Sequence, residues 1–276
     1  MKRHYEETID SQGPALEFLQ KLGWQYLSPE QIEAQREDFH EVLLKPIFLE
    51  SINRLNHIEF KGQRKSFSSE NLQKAYRDLQ KIQKPELLPT AEAIYDWITY
   101  PQSYTEFIEG EQKAFGLKLI DWDRPENNTY HVTEEFVVQG PKETRRPDIV
   151  LFINGIPLVV IENKRRDKNE STEEAISQHL RNQRQKEGIP RLFQYAQILL
   201  AMQPNEVKYA VTGTEAKFWS VWKEDNEEHA QAILKRNDNI GVVDRLATVQ
   251  DCSILSLCEP KRLLDLIYKY IVFDGP

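Results

Sequence analysis

The run from Ile149 to Ile161 constrains this chain more than any other stretch. Ile149-Val150-Leu151-Phe152-Ile153 and Ile156-Pro157-Leu158-Val159-Val160-Ile161 are uncharged, rich in β-branched residues and separated by Asn154-Gly155. That pattern predicts two antiparallel strands around a tight turn. Val159-Val160-Ile161 is apolar on both faces, so the second strand is expected at the centre of a sheet, covered on both sides. Asp148 precedes the first strand, and Glu162 and Lys164 close the second. Three charges therefore share the end of the hairpin away from its turn, where an uncompensated carboxylate would be unfavourable by several kcal/mol.

Side chains alternate along a strand, so Glu162 and Lys164 share one face and Asn163 takes the other. A strict two-residue loop pairs Asp148 with Ile161 and puts the two acids on opposite faces. A three-residue loop such as Ile153-Asn154-Gly155, or a β-bulge, shifts the register by one and returns them to the same face. Pro157, which has no N–H, fits beside the turn better than in mid-ladder. On one face, Asp148 and Glu162 suit a hard divalent cation such as Mg²⁺, which lowers the pKa of bound water, and Lys164 suits the charge of a pentacovalent phosphate. The chemistry implied is phosphodiester hydrolysis. The plainer reading is a surface Asp and a Glu–Lys pair solvating a sheet end; the apolar hairpin, the Pro-Asp step and the spacing favour the site.

Pro147-Asp148, thirteen residues, then Glu162-Asn163-Lys164 resembles the PD-(D/E)XK nuclease motif. The segments Asn127–Phe136, Arg145–Val150, Ile176–Gln183 and Lys217–Trp222 resemble, in this order, the N-terminal endonuclease domain of the restriction (R) subunit of type I restriction-modification enzymes. The resemblance covers essentially the whole chain and is strongest over residues 118–223. It implies an α/β fold, with a restriction-endonuclease-like α/β/α core on a mixed central sheet and a mainly helical N-terminal region. It implies a type I site-specific deoxyribonuclease, cutting double-stranded DNA with Mg²⁺ through Asp148 and Glu162 as metal ligands and Lys164 as transition-state stabiliser. In relatives a Gln-x-x-x-Tyr follows the lysine. Gln178 matches its glutamine and is expected to orient water or backbone, whereas Asn182 stands where the tyrosine would be and removes a phenolic hydroxyl from the mechanism. An acidic residue of the first helix often joins such sites; Glu6 and Glu7 are equal candidates here. The implied partners are methyltransferase and specificity subunits and a C-terminal ATP-driven motor. The chain lacks a glycine-rich phosphate loop ending in Gly-Lys-Ser/Thr, so ATP is expected only with that motor, and the chain is expected to be a fragment. The competing reading is a DNA-binding or docking domain of the same fold that does not cut in isolation; a junction resolvase is disfavoured by the long helical N-terminal region.

The sequence divides into a helical region over 1–110, a nuclease core over 111–225 and a C-terminal helical segment over 226–276. At 276 residues and 39% hydrophobic it can bury a sizeable core. No apolar segment has signal-peptide or membrane-spanning character, and the lone pair Cys252 and Cys258 has no metal-ligand spacing, which predicts core thiols in a cytoplasmic protein. Net charge is −8, yet residues 141–191 hold 11 Lys/Arg against 8 Asp/Glu. Arg165, Arg166, Arg181 and Arg184 are the candidate phosphate contacts in that basic stretch.

Helices are expected over Ala15–Leu22, from a Ser28 cap with Pro29 in its first turn, over Val42–Leu55 and Leu72–Ile82, with a turn at Lys61–Ser66. Strands are expected at Gly116–Trp122 and Tyr130–Val138, and a helix over Thr172–Glu187 with Ile176, His179 and Leu180 inward. Leu192–Met202 reads as an apolar helix, Val207–Thr214 and Lys217–Lys223 as closing strands with Phe218, Trp219 and Trp222 buried. Glu224–Asn239 reads as loop or surface helix, and Pro260–Phe273 as a final amphipathic helix. Trp24, Trp97 and Tyr100 are expected to pack.

Overall fold

A computed structural model describes residues 11–164 and 171–273. Its centre is a six-stranded mixed sheet whose spatial order follows the sequence: β1 (Gln25–Tyr26), β2 (Tyr130–Glu134), β3 (Ile149–Ile153), β4 (Ile156–Asn163), β5 (Ile198–Gln203) and β6 (Glu206–Ala210). The β1–β2 and β4–β5 pairs are parallel and the other three antiparallel. Every residue of β3 and β4 is buried, as expected for strands apolar on both faces.

Two layers cover the sheet. Helix α1 (Gly13–Lys21) and α2 (Lys45–Leu55) precede the hairpin, and α3 (Ser171–Asn182) forms the crossover between β4 and β5, packing on β4, β5 and β6. Helix α4 (Val249–Cys258) packs on α1 and on α5 (Pro260–Tyr270). Alternation along β4 separates the layers: Glu162 meets side chains of α3, whereas Asn163 meets Ser11 beside α1, and Ser11 in turn meets Gln250 of α4. The result is the α/β/α arrangement expected from sequence. The first strand of the sheet comes from residues 25–26, so the N-terminal region is built into the sheet itself. No described helix is long and apolar enough to cross a membrane.

The register of the hairpin decides the site. The turn is the two-residue one, with Asn154 and Gly155 at φ of 52° and 77° as a primed turn requires. Taken alone it would place Asp148 opposite Ile161. A bulge between Pro157 and Val159 shifts the ladder by one, so that Ile156 pairs with Ile153 but Ile161 pairs with Ile149. Proline cannot donate to the ladder, and the irregularity falls beside it. The three-residue loop is thus not formed; the bulge does its work and sets Asp148 opposite Glu162 on the same face.

The turn is also docked. The Asn154 side chain is buried, donating to the Leu119 carbonyl at 3.0 Å and accepting from the Thr129 N–H at 2.8 Å. A Cβ on Gly155 would stand 2.7 Å from the Leu44 carbonyl oxygen and 2.9 Å from the Phe48 nitrogen at the start of α2. Gly155→Ala combines a left-handed backbone with backbone overlap and is expected to destabilise the protein by about 2–4 kcal/mol. Chemical denaturation checks this, and a change under about 0.5 kcal/mol, the range of neutral surface substitutions, would contradict the docking.

Several sequence expectations are corrected. Residues 198–203 form strand β5 rather than the end of a helix; only Pro190–Phe193 is helical. A short apolar run buried on every side carries no periodicity that separates strand from helix. The strand expected at Gly116–Trp122 ends at Leu117 and pairs outside the main sheet, Glu111–Leu117 against Gln102–Ile108. Lys217–Lys223 is a 3-10 turn at Ala216–Phe218 plus one bridge from Ser220 to Tyr209. There Trp219 is buried and Trp222 is half-buried against the core, its ring on that of Tyr209, while Phe218 is 62% exposed, and Tyr100 is likewise 62% exposed. The crossover helix stops at Asn182, five residues short of the expected end, because the chain turns back with the Ile189 N–H on the Asn182 carbonyl at 2.8 Å. The capped turn at Ser28 forms as read, with its reciprocal Gln31 bond, and α5 buries Leu263, Leu264 and Ile267.

Candidate active site

Pro147 breaks the ladder ahead of β3, and the next residue, Asp148, is held from three directions. Its carbonyl accepts from the Glu135 N–H at 3.0 Å and from the Gln12 side chain at 3.2 Å. Its carboxylate accepts from the Asn163 N–H at 2.6 Å and hydrogen-bonds the Glu162 carboxyl across the hairpin. Glu162 is fully buried. Burial pushes its carboxyl well above the usual carboxylate range; the Asp148 charge adds to the rise and the Lys164 ammonium opposes it. Asp148, Glu162 and Lys164 thus meet at one end of the central strand, as their spacing implied.

Helix α3 supplies the roof. Gln178 donates to Oε2 of Glu162 at 2.6 Å, and Asn182, one turn on, donates to Oε1 at 3.4 Å. The i, i+4 stripe of one helix therefore orients both oxygens of one carboxylate. Gln178, expected to orient water or backbone, here donates to the Glu162 carboxyl. Asn182 belongs to the same constellation, since residues four apart share a face of a helix.

His179 faces the core, as its position between Ile176 and Leu180 suggested. Its Nε2 meets the Leu200 carbonyl at 2.9 Å and its ring lies 5.2 Å from that of Trp219. Burial lowers its pKa from 6.5 to about 4, against the Leu200 bond that raises it, with nearby Lys164 lowering it further. Because the unfolded imidazole protonates first, stability from this residue is complete above pH 6.5 and is lost as pH falls towards 4. The protein is expected to lose about 3 kcal/mol over that window through this residue. A His179→Gln variant should show a correspondingly shallower dependence of denaturation midpoint on pH, and parallel profiles would overturn the assignment.

The sequence reading missed the support beneath the strand end. The Asn163 side chain, pointing away from Glu162, meets Ser11 Oγ at 3.1 Å, and the same hydroxyl, with one proton to give, donates to Gln250 Oε1 at 2.7 Å. Gln250 returns a bond to the Ser11 carbonyl at 2.9 Å. No local motif marks these residues. Of the candidate phosphate contacts, Arg181 is exposed at the end of α3, and Arg184 is 63% exposed beside Glu187, 3.6 Å away. Arg165, Arg166, Glu6 and Glu7 lie outside the described residues. Cys258 is buried and Cys252 partly so, both as free thiols.

Comparison with known proteins agrees with the resemblance read from the motifs. The chain is 27% identical over 272 residues to the putative type I restriction enzyme MjaIXP endonuclease subunit of Methanocaldococcus jannaschii, covering 94% of this chain and 25% of that protein. It is 32% identical over 270 residues to the MjaVIIIP subunit named likewise in the same organism, covering 93% and 24%. To the type I restriction enzyme HindI endonuclease subunit of Haemophilus influenzae it is 25% identical over 268 residues, covering 94% and 23%. The chain thus spans about a quarter of the length of these relatives. Residues 5–227 match the family described as type I restriction enzyme R protein N terminus, and the chain belongs to that family.

Proposed function

We propose that this chain is the endonuclease domain of a type I restriction enzyme, hydrolysing phosphodiester bonds of double-stranded DNA with a divalent cation. The observation that carries the reading is the bulge beside Pro157, which puts Asp148 and Glu162 on one face at the end of a buried strand. A buried pair of carboxyls, one of them raised well above the usual carboxylate range by burial and by the charge of the other, is a donor set that a cation would relieve, and oxygen-only donors suit magnesium. Asp148 and Glu162 would hold it. A magnesium ion there supplies positive charge and an acidified water. Lys164 places its ammonium beside the pair, where it stabilises charge growing on the phosphate oxygens. Gln178 and Asn182 fix the Glu162 oxygens, so that little reorganisation accompanies reaction. The nuclease core is taken as residues 111–225, working in the cytoplasm with methyltransferase and specificity subunits and with an ATP-driven motor.

The experiment is nicking of supercoiled plasmid by the chain in Mg²⁺ and in EDTA, with Mg²⁺ binding followed by calorimetry. Metal-dependent nicking is expected. Binding without nicking would favour the second reading, a DNA-binding or docking domain that does not cut alone.

A further inference from the structure

Two segments outside the constellation meet through a pair of glycines. The small hairpin made by Val138–Gln139 and Thr144–Arg145 is closed by the Gly140 N–H on the Glu143 carbonyl at 2.8 Å. A Cβ on Gly140 would stand 2.0 Å from the Gly188 carbonyl oxygen. Gly188 sits in the turn that ends α3, its N–H on the Arg184 carbonyl at 2.8 Å, and a Cβ there would stand 2.2 Å from the Asn182 carbonyl oxygen. The hairpin is thus seated on that turn with no room for any side chain between them. Both segments lead directly to the carboxylates: the hairpin runs into Arg146-Pro147-Asp148, and the turn follows Asn182, which reaches Glu162.

Their charge is unlike that of the chain. Residues 138–146 and 181–188 contribute Lys142, Arg145, Arg146, Arg181, Arg184 and Lys186 against Glu143 and Glu187, a net +4 within a protein of −8. Arg146 and Arg184 are 65% and 63% exposed, and Lys142, Arg181 and Lys186 are exposed too. Neither segment holds an aromatic side chain. Single-strand binders combine positive charge with aromatic platforms for bases; a cationic rim without aromatics addresses phosphates alone.

We propose that residues 138–146, the small hairpin and its exit, and residues 181–188, the end of α3 and its turn, form one phosphate-tracking rim that seats the backbone of duplex DNA, without sequence preference, over the Asp148–Glu162 end of the sheet. This rests on the DNA reading above and adds the surface that would carry the duplex. The test is salt-dependent binding of the full chain to a random duplex and to the matching single strand, in EDTA so that neither metal nor cleavage enters. Each lost phosphate contact lowers the slope of log affinity against log salt by about 1. The triple variant Lys142→Gln/Arg145→Gln/Lys186→Gln is expected to lower the slope for duplex by about 2–3 and affinity by about tenfold or more. The control Lys113→Gln/Lys261→Gln/Lys269→Gln should leave both unchanged. If wild type binds duplex and the triple variant retains the full slope, the rim is overturned while the DNA reading stands. Equal loss of duplex and single-strand affinity overturns the duplex assignment. Wild type that binds neither strand form overturns the DNA reading itself.

Discussion

Asp148→Asn is expected to reduce metal-dependent nicking by about 10³-fold or more and to remove the heat of Mg²⁺ binding, while leaving the fold intact. Asparagine is the informative substitution because it keeps an oxygen for the Asn163 N–H that now meets the carboxylate at 2.6 Å. Loss of that bond in Asp148→Ala would unpair a buried backbone donor and confuse a chemical effect with a structural one. Only the charge disappears in the asparagine variant, and charge is what a cation needs. Lys164→Met supplies the contrast: it should keep Mg²⁺ binding and lose nicking, since its ammonium acts on the phosphate rather than on the metal. Nicking by Asp148→Asn at the wild-type rate would remove the hairpin end from the chemistry. Lost nicking with full Mg²⁺ binding in that variant would move the metal elsewhere.

The parts of this site that sequence made legible are those where local pattern and chemistry coincide. Uncharged, β-branched runs around Asn154-Gly155 can hardly fold other than as a buried hairpin, and side-chain alternation then limits where Asp148 and Glu162 can point. The need for an extra residue in the register was visible too, as an unsatisfied parity. Its location was not, because a two-residue turn followed by a bulge, which sets Asp148 opposite Glu162, and a three-residue loop, which would set it opposite Val160, both return the two acids to one face. Gln178 was accessible by helical spacing from the resemblance, and the same spacing contained Asn182.

What escaped was written in contacts between distant segments or in elements without periodicity. Helix α4 buries Gln250, Asp251, Ser253 and Ser256 together with its apolar residues, so it has no polar face for a pattern to reveal. Yet Gln250 reaches across the molecule, through Ser11, to the residue between Glu162 and Lys164. Strand β5 looked helical for the complementary reason, being apolar all round. The close seating of Gly140 on Gly188 joins residues 48 positions apart, and nothing in the sequence around either marks the other as its neighbour.

The carboxyl pair makes a second large effect measurable without DNA. Glu162→Gln is expected to make the metal-free protein more stable than wild type at pH 7.5, by on the order of 1–4 kcal/mol. Burial and the Asp148 charge raise the folded-state pKa of Glu162, with Lys164 opposing. A group raised in this way contributes stability that is complete below its unfolded pKa, about 4.3, and is lost as pH climbs through the folded value. The advantage of the neutral amide should therefore be small near pH 4.5 and grow as pH increases. Magnesium should reverse the ranking: it stabilises wild type by about 2.7 kcal/mol at a hundredfold excess over its dissociation constant, and the amide, with one charge fewer, gains far less. Chemical denaturation in EDTA and in Mg²⁺ at several pH values reads all of this. If Glu162→Gln is instead the less stable protein in EDTA at pH 7.5, the Lys164 ammonium outweighs burial and the Asp148 charge together. Glu162 would then stand ionised in a self-sufficient salt bridge, and the electrostatic case for a cation at this position would fall.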